Sequence, residues 1–237
     1  MKFHNITTDD MLNGDGLRTV LWVSGCSHHC KGCQNPITWD PHVGVEFDEK
    51  AKEELFEKLE PDYISGLTLS GGDPLFEYNL QEIQKLIIEV RNKFPEKTIW
   101  LYTGYEIVDL YKNRNRSAID ALRWDIVTRL DVLCEGKFVE ELKDVNYPWV
   151  GSTNQMVVDI PKTMRNALIG DGIIYAYESD PKCDFDQTIY DLDIYDPEGK
   201  LNENPIYVVK TDAHGNEIGY IRKYDNFAKA ITDVTND

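Results

Sequence analysis

The chain has 237 residues, 41% of them hydrophobic and 28% charged, with a formal net charge of −17. A chain of this length buries a core without disulfide staples, either as one large domain or as a domain with a smaller appendage. The negative charge opposes non-specific binding to nucleic acid and to anionic membrane surfaces, and leaves a neutral or basic partner protein compatible. The N-terminal Met1-Lys2-Phe3-His4-Asn5 lacks the apolar core of a secretory signal. No run approaches the roughly 18 apolar residues that a membrane-crossing helix requires. Five cysteines, an odd count with three clustered, fit a disulfide framework poorly and point to a reducing, cytoplasmic compartment.

In chain order, Asn13-Gly14-Asp15-Gly16 reads as a turn, and Leu17 to Ser24 as a buried, β-branched strand. That strand runs into the loop Ser24-Gly25-Cys26-Ser27-His28-His29-Cys30-Lys31-Gly32-Cys33, spaced C-x-x-x-C-x-x-C. Asp48 is placed to cap a helix in which Ala51, Leu55 and Leu59 recur every four residues. A short strand over Gly66 to Ser70 leads into Gly71-Gly72-Asp73-Pro74. Asn79 then opens a second helix, with Glu82 three residues on as a capping-box partner. Its apolar stripe is Leu80, Ile83, Ile87, Val90 and Phe94. Thr98 to Tyr102 is a third strand ending at Thr103-Gly104. A helical region over 106–123 is interrupted at Lys112-Asn113-Arg114-Asn115. Asp131 to Cys134 is a fourth strand ending at Glu135-Gly136, followed by a short helix near Phe138 to Leu142 and a fifth strand from Met156 to Ile160.

Strands alternating with helices indicate βαβ units and a parallel sheet, hence an α/β fold. Ligands of such sheets bind outside the carboxyl ends of the strands. The cysteine loop, Ser70-Gly71-Gly72-Asp73, Thr103-Gly104 and Glu135-Gly136 all follow strands, so they are expected on one face. Beyond Pro161 the pattern changes. A short helix over Thr163 to Leu168 is followed by period-two alternation at Tyr190, Leu192 and Ile194 and turn chemistry at Asp196-Pro197-Glu198-Gly199. Strand candidates at Ile206 to Val209 and Ile218 to Tyr224 flank Gly215-Asn216. This reads as a small antiparallel β-rich appendage.

Thiolates are soft ligands that suit iron–sulfur clusters, zinc or Cu(I). Cys26, Cys30 and Cys33 on one loop can hold three corners of a cubane cluster, which ordinarily takes four protein ligands. The missing fourth ligand leaves an open position where chemistry can occur. A zinc site completed by His28, His29 or His42, and plain buried cysteines, are the alternatives. Gly71-Gly72 reads either as a tight strand-to-helix turn or as backbone open to a close ligand. Asp73 could receive an ammonium group or cap the turn that follows it. His28 and His29 suit solvent exposure or hydrogen bonding behind the ligands better than iron ligation. Cys134 reads as core, Cys183 has no visible partner, and Tyr190, Tyr195, Tyr207 and Tyr220 read as packing.

Taken together these residues resemble the radical S-adenosylmethionine (SAM) superfamily, and within it the activating enzymes of anaerobic (class III) ribonucleoside-triphosphate reductase. The resemblance runs from about Ile6 to Asp159. It is carried by Asn13-Gly14-Asp15-Gly16-Leu17-Arg18, the Gly25 to Cys33 loop, Asn35 with Thr38-Trp39, and Ser70 to Leu75. Further carriers are Trp100 with Thr103-Gly104-Tyr105, Gly136 to Val139, Leu142-Lys143-Asp144 and Gly151-Ser152-Thr153-Asn154-Gln155. The chain has Asp15 where the family commonly has proline, Gln34 where an aromatic residue often follows the third cysteine, Glu135 for the usual aspartate and Val150 for an arginine.

The resemblance implies a partial (βα) barrel of the radical SAM type over 1–160, with 161–237 as a β-rich C-terminal extension outside it. It implies a [4Fe–4S] cluster on Cys26, Cys30 and Cys33, with SAM chelating the fourth iron. Ser70, Gly71, Gly72 and Asp73 would hold the methionine moiety, and Gly32 and Gln34 would lie against the nucleoside. Thr103 and Asn154 or Gln155 would add contacts. One electron from a low-potential donor would cleave the sulfonium to methionine and a 5′-deoxyadenosyl radical. That radical would take a Cα hydrogen from a glycine of the reductase large subunit, the protein substrate. No side chain is expected as a general acid or base, and neither nucleic acid nor membrane is expected as a partner. Alternatives are a radical SAM enzyme acting on another glycyl radical enzyme or on a small molecule, as deazaguanine synthases do, and a non-enzymatic zinc adaptor. For the extension, docking to the reductase, homodimerisation and padding stay open.

Overall fold

The computed structural model describes residues 1–169, 174–175, 177, 186–190, 206–211 and 217–224. The contacts divide the chain into two compact units, Met1–Gln155 and Met156–Asp237. In order, the first unit contains β1 (Lys2–Asp10), β2 (Leu17–Val23), β3 (Val45–Glu46), α1 (Glu49–Leu59), β4 (Ile64–Gly71), α2 (Leu80–Lys93), β5 (Thr98–Tyr102), α3 (Ile107–Asn113), α4 (Ala118–Val127) and β6 (Val132–Glu135). The second unit contains β7 (Met156–Asp159), α5 (Ile160–Ile169), β8 (Ile174–Tyr175), β9 (Asp186–Tyr190), β10 (Ile206–Thr211) and β11 (Glu217–Tyr224). None of the five α-helices is long and apolar enough, among the described residues, to cross a membrane.

Within the first unit the sheet has its strands in the order β3-β1-β2-β4-β5-β6. β2, β4, β5 and β6 pair in parallel, as the alternating pattern predicts. The sheet is nevertheless mixed: β1 runs antiparallel to both β2 and β3, and the sequence pattern shows neither β1 nor β3. Only Phe3 and Ile6 of β1 are buried, and register shifts between Phe3 and Asn5 and between Thr7 and Asp10 break the period of two that marks a strand. The central strands bury both faces, so Val20, Leu21, Leu67, Leu69, Ile99, Trp100, Leu101 and Leu133 are all at 1% exposure or less. Continuous burial is the expected state of parallel strands covered by helices on both sides.

The helices follow their caps and stripes. Asp48 caps α1 by accepting from the Ala51 backbone N–H, and α1 buries Ala51, Leu55 and Leu59. α2 buries Leu80, Ile83, Leu86, Ile87 and Val90, while Phe94 is its C-cap. Asn79 stands at the N-cap position of α2 but makes no side-chain cap, so the expected capping box with Glu82 does not form. Its amide instead donates to the carbonyls of Ser24 (2.8 Å) and Asp73 (3.1 Å), tying two strand-end loops together. The helical region after β5 is two helices; the break spans Arg114 to Ser117, and Ser117 caps α4 through Asp120. The helix expected near Phe138 is a single 3-10 turn, Glu140–Leu142, and Ile160 begins α5 where a strand was expected to continue.

Arg18 on β2 is fully buried and bridges three strands. Its guanidinium donates to Thr68 Oγ1 (2.6 Å), the Leu67 carbonyl (2.7 Å), the Thr98 carbonyl (2.9 Å), Thr98 Oγ1 (3.0 Å) and the Asp15 carbonyl (3.1 Å). It also lies 5.3 Å from the centre of the Trp100 ring. In the second unit β8, β9, β10 and β11 form an antiparallel sheet in the order β11-β10-β9-β8; the strand candidates Ile206 to Val209 and Ile218 to Tyr224 fall within β10 and β11, and Tyr190 ends β9. Leu192, Ile194, Tyr195, the Asp196 to Gly199 turn, Gly215-Asn216 and Cys183 lie outside the described residues.

Arg18→Met keeps much of the buried volume and removes every donor, leaving several acceptors unpaired. It is expected to destabilise the fold by about 3 kcal/mol or more, since each orphaned buried group costs about 1–3 kcal/mol. Asp48→Ala loses one cap bond and is expected to cost about 1 kcal/mol. Urea unfolding of both variants against the parent measures the contrast.

Candidate functional site

Parallel pairing in the order β2, β4, β5, β6 brings four carboxyl ends to one edge of the sheet. Trp22 pairs with Ser70, Val23 with Gly71, Leu69 with Leu101 and Tyr102 with Cys134, so the segments after them are neighbours. Backbone bonds stitch these segments directly. Gly72 N–H donates to the Val23 carbonyl (2.8 Å), Asp73 N–H to the Gly25 carbonyl (2.7 Å), and Thr103 N–H to the Cys134 carbonyl (2.9 Å). Gly71 has φ +106°, and a Cβ there would come within 2.7 Å of the Val23 backbone. A Cβ on Gly72 would stand 2.5 Å from the Gly25 carbonyl oxygen. The paired glycines are therefore required by the approach of the chain to itself, whatever else they contact.

The cysteine loop follows β2 and is anchored by the segment behind it. Gly25 N–H donates to the Thr38 carbonyl (2.7 Å) and Cys26 N–H to the Trp39 carbonyl (3.0 Å), with the His29 ring stacked on Trp39 at 4.8 Å. Cys26, Cys30 and Cys33 are free and half-buried. Cys33 Sγ accepts a hydrogen bond from the Asn35 backbone N–H (3.4 Å), and the backbone N–H groups of His28, His29 and Phe138 act electrostatically on Cys26 and Cys30. Burial pushes the Cys26 thiol up to about 11, opposed by its N–H donors and reinforced by the charges of Asp73 and Cys30. Cys30 is raised for the same leading reason, with Cys33 adding to it. Among the described residues no three His, Cys, Asp or Glu side chains are grouped as a metal site. The three thiols share a loop and interact electrostatically without their sulfurs being drawn to a point. The donor set nonetheless fits an iron–sulfur group: soft thiols, partial exposure, and N–H groups of the kind that tune cluster potentials.

Asp73 is 1% exposed and is the junction of the strand ends. Its Oδ1 accepts from Leu75 N–H (2.8 Å), which is the turn-capping role. Thr103 Oγ1 donates to both oxygens (3.0 and 2.9 Å), and Gly104 N–H to Oδ2 (3.1 Å). His28 Nε2 lies 2.8 Å from Oδ2, close but without hydrogen-bond alignment. A carboxylate offers about four lone-pair sites, and here they face the chain's own donors.

The remaining expected site residues divide. Ser70 is buried at the end of β4, and Thr103 is buried against Asp73. Gly32 and Gln34 are exposed on the cysteine loop, Gly32 beside Glu140, with Lys31 paired to Glu140 (2.9 Å) and Glu141 (3.3 Å). Asn154 donates to the Lys137 carbonyl (2.8 Å), while its Oδ1 and the hydroxyl of Thr153 are buried without a partner. Gln155 closes the loop on itself, accepting from the Gly151 and Ser152 N–H groups and donating to the Gly136 carbonyl (2.8 Å). Cys134 is core, its thiol pushed up to about 12 by burial.

Two residues outside the expected cofactor contacts stand out. His28 packs edge-on to Tyr105 at 4.6 Å between ring centres. Glu135 is fully buried and accepts from the Ile107 N–H at the start of α3. The signal for Glu135 was its place directly after a parallel strand.

The sequence matches the family described as 4Fe-4S single cluster domain over residues 12–158. It is 38% identical over 159 residues to the anaerobic ribonucleoside-triphosphate reductase-activating protein of Escherichia coli (strain K12), covering 66% of this chain and 97% of that protein. The protein of the same name from Enterobacteria phage T4 is 40% identical over 155 residues, 65% of this chain and 92% of its own. That from Vibrio cholerae is 36% identical over 159 residues, 66% of this chain and 97% of its own.

Burial raises the Glu135 carboxyl from 4.5 to about 8, opposed by the Ile107 N–H and reinforced by Glu106 and Asp109. The folded state therefore holds a proton that the unfolded state releases. Stability from this group is intact below pH 4.5 and is lost as pH rises toward about 8, at up to about 1.4 kcal/mol per pH unit. Glu135→Gln keeps an acceptor for Ile107 and is expected to flatten that slope. Unfolding midpoints at pH 5 to 8.5 for parent and variant provide the comparison, and superimposable profiles would exclude the effect.

Proposed function

The chain belongs to the family of anaerobic ribonucleoside-triphosphate reductase-activating proteins, and from that premise we propose that it is a radical SAM activase, an oxidoreductase whose protein substrate is the large subunit of such a reductase. The single observation that carries the reading is the loop of Cys26, Cys30 and Cys33, three free, half-buried thiols of which Cys33 accepts the Asn35 backbone N–H. The loop lies at the strand-end edge shared by Ser70–Asp73 and Thr103.

Cys26, Cys30 and Cys33 are proposed to hold a [4Fe–4S] cluster, leaving one iron for the amino and carboxylate groups of SAM. Loaded in this way, the site would supply one-electron cleavage of the sulfonium and a hydrogen-abstracting radical directed at a glycine Cα–H, with a low-potential protein as electron donor. The chain's own residues bind and orient. The Ser70-Gly71-Gly72 backbone is proposed to flank the methionine moiety. Asp73 would serve by pinning that turn rather than by offering its own oxygens, which face Leu75, Thr103, Gly104 and His28. Exposed Gly32 and Gln34 would flank the nucleoside, and the unpartnered Oδ1 of Asn154 supports a further polar contact. The absence of a proposed general base agrees with hydrogen-atom rather than proton chemistry.

Exposed Ile37 (68%) and Tyr78 (62%) lie on the segments that flank the cysteine loop, and an apolar rim of this kind suits a protein substrate. The strands of the sheet and their crossovers are proposed to curve as a partial (βα) barrel, with 1–160 as the radical SAM domain and 161–237 as an extension serving the reductase encounter, dimerisation or packing. A cytoplasmic setting accords with free thiols at Cys26, Cys30, Cys33 and Cys134.

Anaerobic reconstitution with iron and sulfide, followed by reductant, SAM and the reductase, should give a glycyl-radical signal in electron paramagnetic resonance. Cys26→Ala, Cys30→Ala and Cys33→Ala should each abolish it together with most cluster absorbance. Stoichiometric zinc with no iron would overturn the cluster, and cofactor cleavage without a glycyl radical would overturn the partner. Truncation after Pro161 is expected to spare SAM cleavage; loss of radical yield alone would place docking in the extension.

A further inference from the structure

The histidine inside the cysteine loop has no assigned part in the chemistry, yet it is among the most enclosed side chains at the strand-end edge. The His28 side chain is 8% exposed and that of Asp73 2% exposed, with Nε2 2.8 Å from Oδ2. On its other side the ring meets Tyr105 edge-on at 4.6 Å. It also lies directly over Gly104, where a Cβ would come within 2.5 Å of the ring. The Arg123 guanidinium covers the Tyr105 ring at 4.7 Å. The middle of the loop is thus clamped by the turn after β5 and by the turn after β4, at a point between Cys26 and Cys30.

We propose that His28 is a positioning residue: its ring, seated on Gly104 and Tyr105 and in contact with Asp73, fixes the Cys26–Cys30 half of the loop over the strand ends. Three physical features support this. Nε2 stands 2.8 Å from Asp73 Oδ2 without hydrogen-bond alignment, so the ring is held there by close packing. Gly104 leaves space that only a side chain from another segment fills, and the ring fills it. Asp73 and Thr103 are held to each other by two short bonds, so His28 docks onto a rigid junction rather than a mobile carboxylate. Groups standing behind metal ligands set ligand orientation, and their loss ordinarily costs about 10- to 100-fold in metal affinity or activity. The inference rests on the cysteine loop being the cluster site, and it concerns where the thiols stand, not proton transfer.

The test uses the full-length chain with two readouts. In the metal-free protein, hydrogen–deuterium exchange of the amides of residues 27–31 should accelerate about tenfold or more in His28→Ala. It should return to within about threefold of the parent in His28→Gln, whose longer side chain again covers Gly104 and reaches toward Asp73. Gly104→Ala, which leaves the His28 and Asp73 side chains themselves unchanged, should also accelerate exchange, because the added methyl displaces the ring. The double variant His28→Ala/Gly104→Ala should be no worse than His28→Ala. In the reconstituted protein, the rate of iron loss to a chelator should rise about 10- to 100-fold in His28→Ala and follow the same order across the variants. Unchanged exchange and unchanged iron loss in His28→Ala would overturn the latch. So would additive effects of the two substitutions, or acceleration spread evenly over the chain. If the parent takes up no iron, the cluster reading fails and the proposal fails with it. If the parent loads and His28→Ala matches it in exchange and iron loss, the cluster reading stands and the latch alone is lost.

Discussion

Parallel pairing of β2, β4, β5 and β6 sets the terms on which everything else in the first unit is built. A parallel strand cannot be joined to its neighbour by a tight turn, so each must be followed by a crossover that leaves at the carboxyl edge. Every crossover begins there, and the loops that begin it are free of ladder bonds. The cysteine loop, the Gly71–Pro74 turn, Thr103–Gly104 and Gly136 are gathered by this constraint, not by affinity for one another. Their close fit, with glycines where the chain nearly touches itself, is secondary to it.

The same edge needs electrostatic order, and Asp73 supplies it. A buried carboxylate is costly unless its lone pairs are satisfied. Leu75, Thr103 and Gly104 satisfy them from two different segments, and the His28 ring packs against the same carboxylate from a third. A charge that must be solvated by the protein becomes a device that fixes the loops solvating it. Motif reading treats this residue as a ligand contact; its surroundings give it a structural office that any ligand would inherit ready-made.

At the start of β2, Arg18 does the complementary work. Its five donated bonds cross from β2 to β4 and β5 and reach the turn before the strand. A guanidinium can do this because its planar array of donors meets several carbonyls at once, where a lysine would meet fewer. Arg18 ties the sheet near the start of β2 and Asp73 ties its carboxyl edge, so the cysteine loop rests on strands whose mutual register is fixed along their length. Pre-organisation of this kind lets a loop present ligands with little freedom to lose.

Much of this was legible in the residues. The alternation of apolar runs and helical stripes specified α1, α2 and the parallel strands, because burial on one helix face or both sheet faces leaves a period in the sequence. Asp48 and the break near Asn113 were legible because capping and helix interruption are local chemistry. β1 was not, because its two buried residues, Phe3 and Ile6, are out of phase across a bulge, and its pairing partner is chosen at a distance. Asn79 misled for a related reason: its local pattern signals a cap, but the Ser24 and Asp73 carbonyls offered its amide better partners. The family was legible from the cysteine spacing and the ordered motifs, since those residue types carry their chemistry wherever they fold. What only the tertiary structure decided is which side chains answer one another across the strand ends: that Asp73 faces Thr103, Gly104 and His28, that His28 rests on Gly104, and that Glu135 is sealed beneath α3. Such contacts join residues far apart in the chain, 28 positions for Glu135 and Ile107 and 30 for Thr103 and Asp73. No local period or motif encodes a contact that exists only once the strands have been laid side by side.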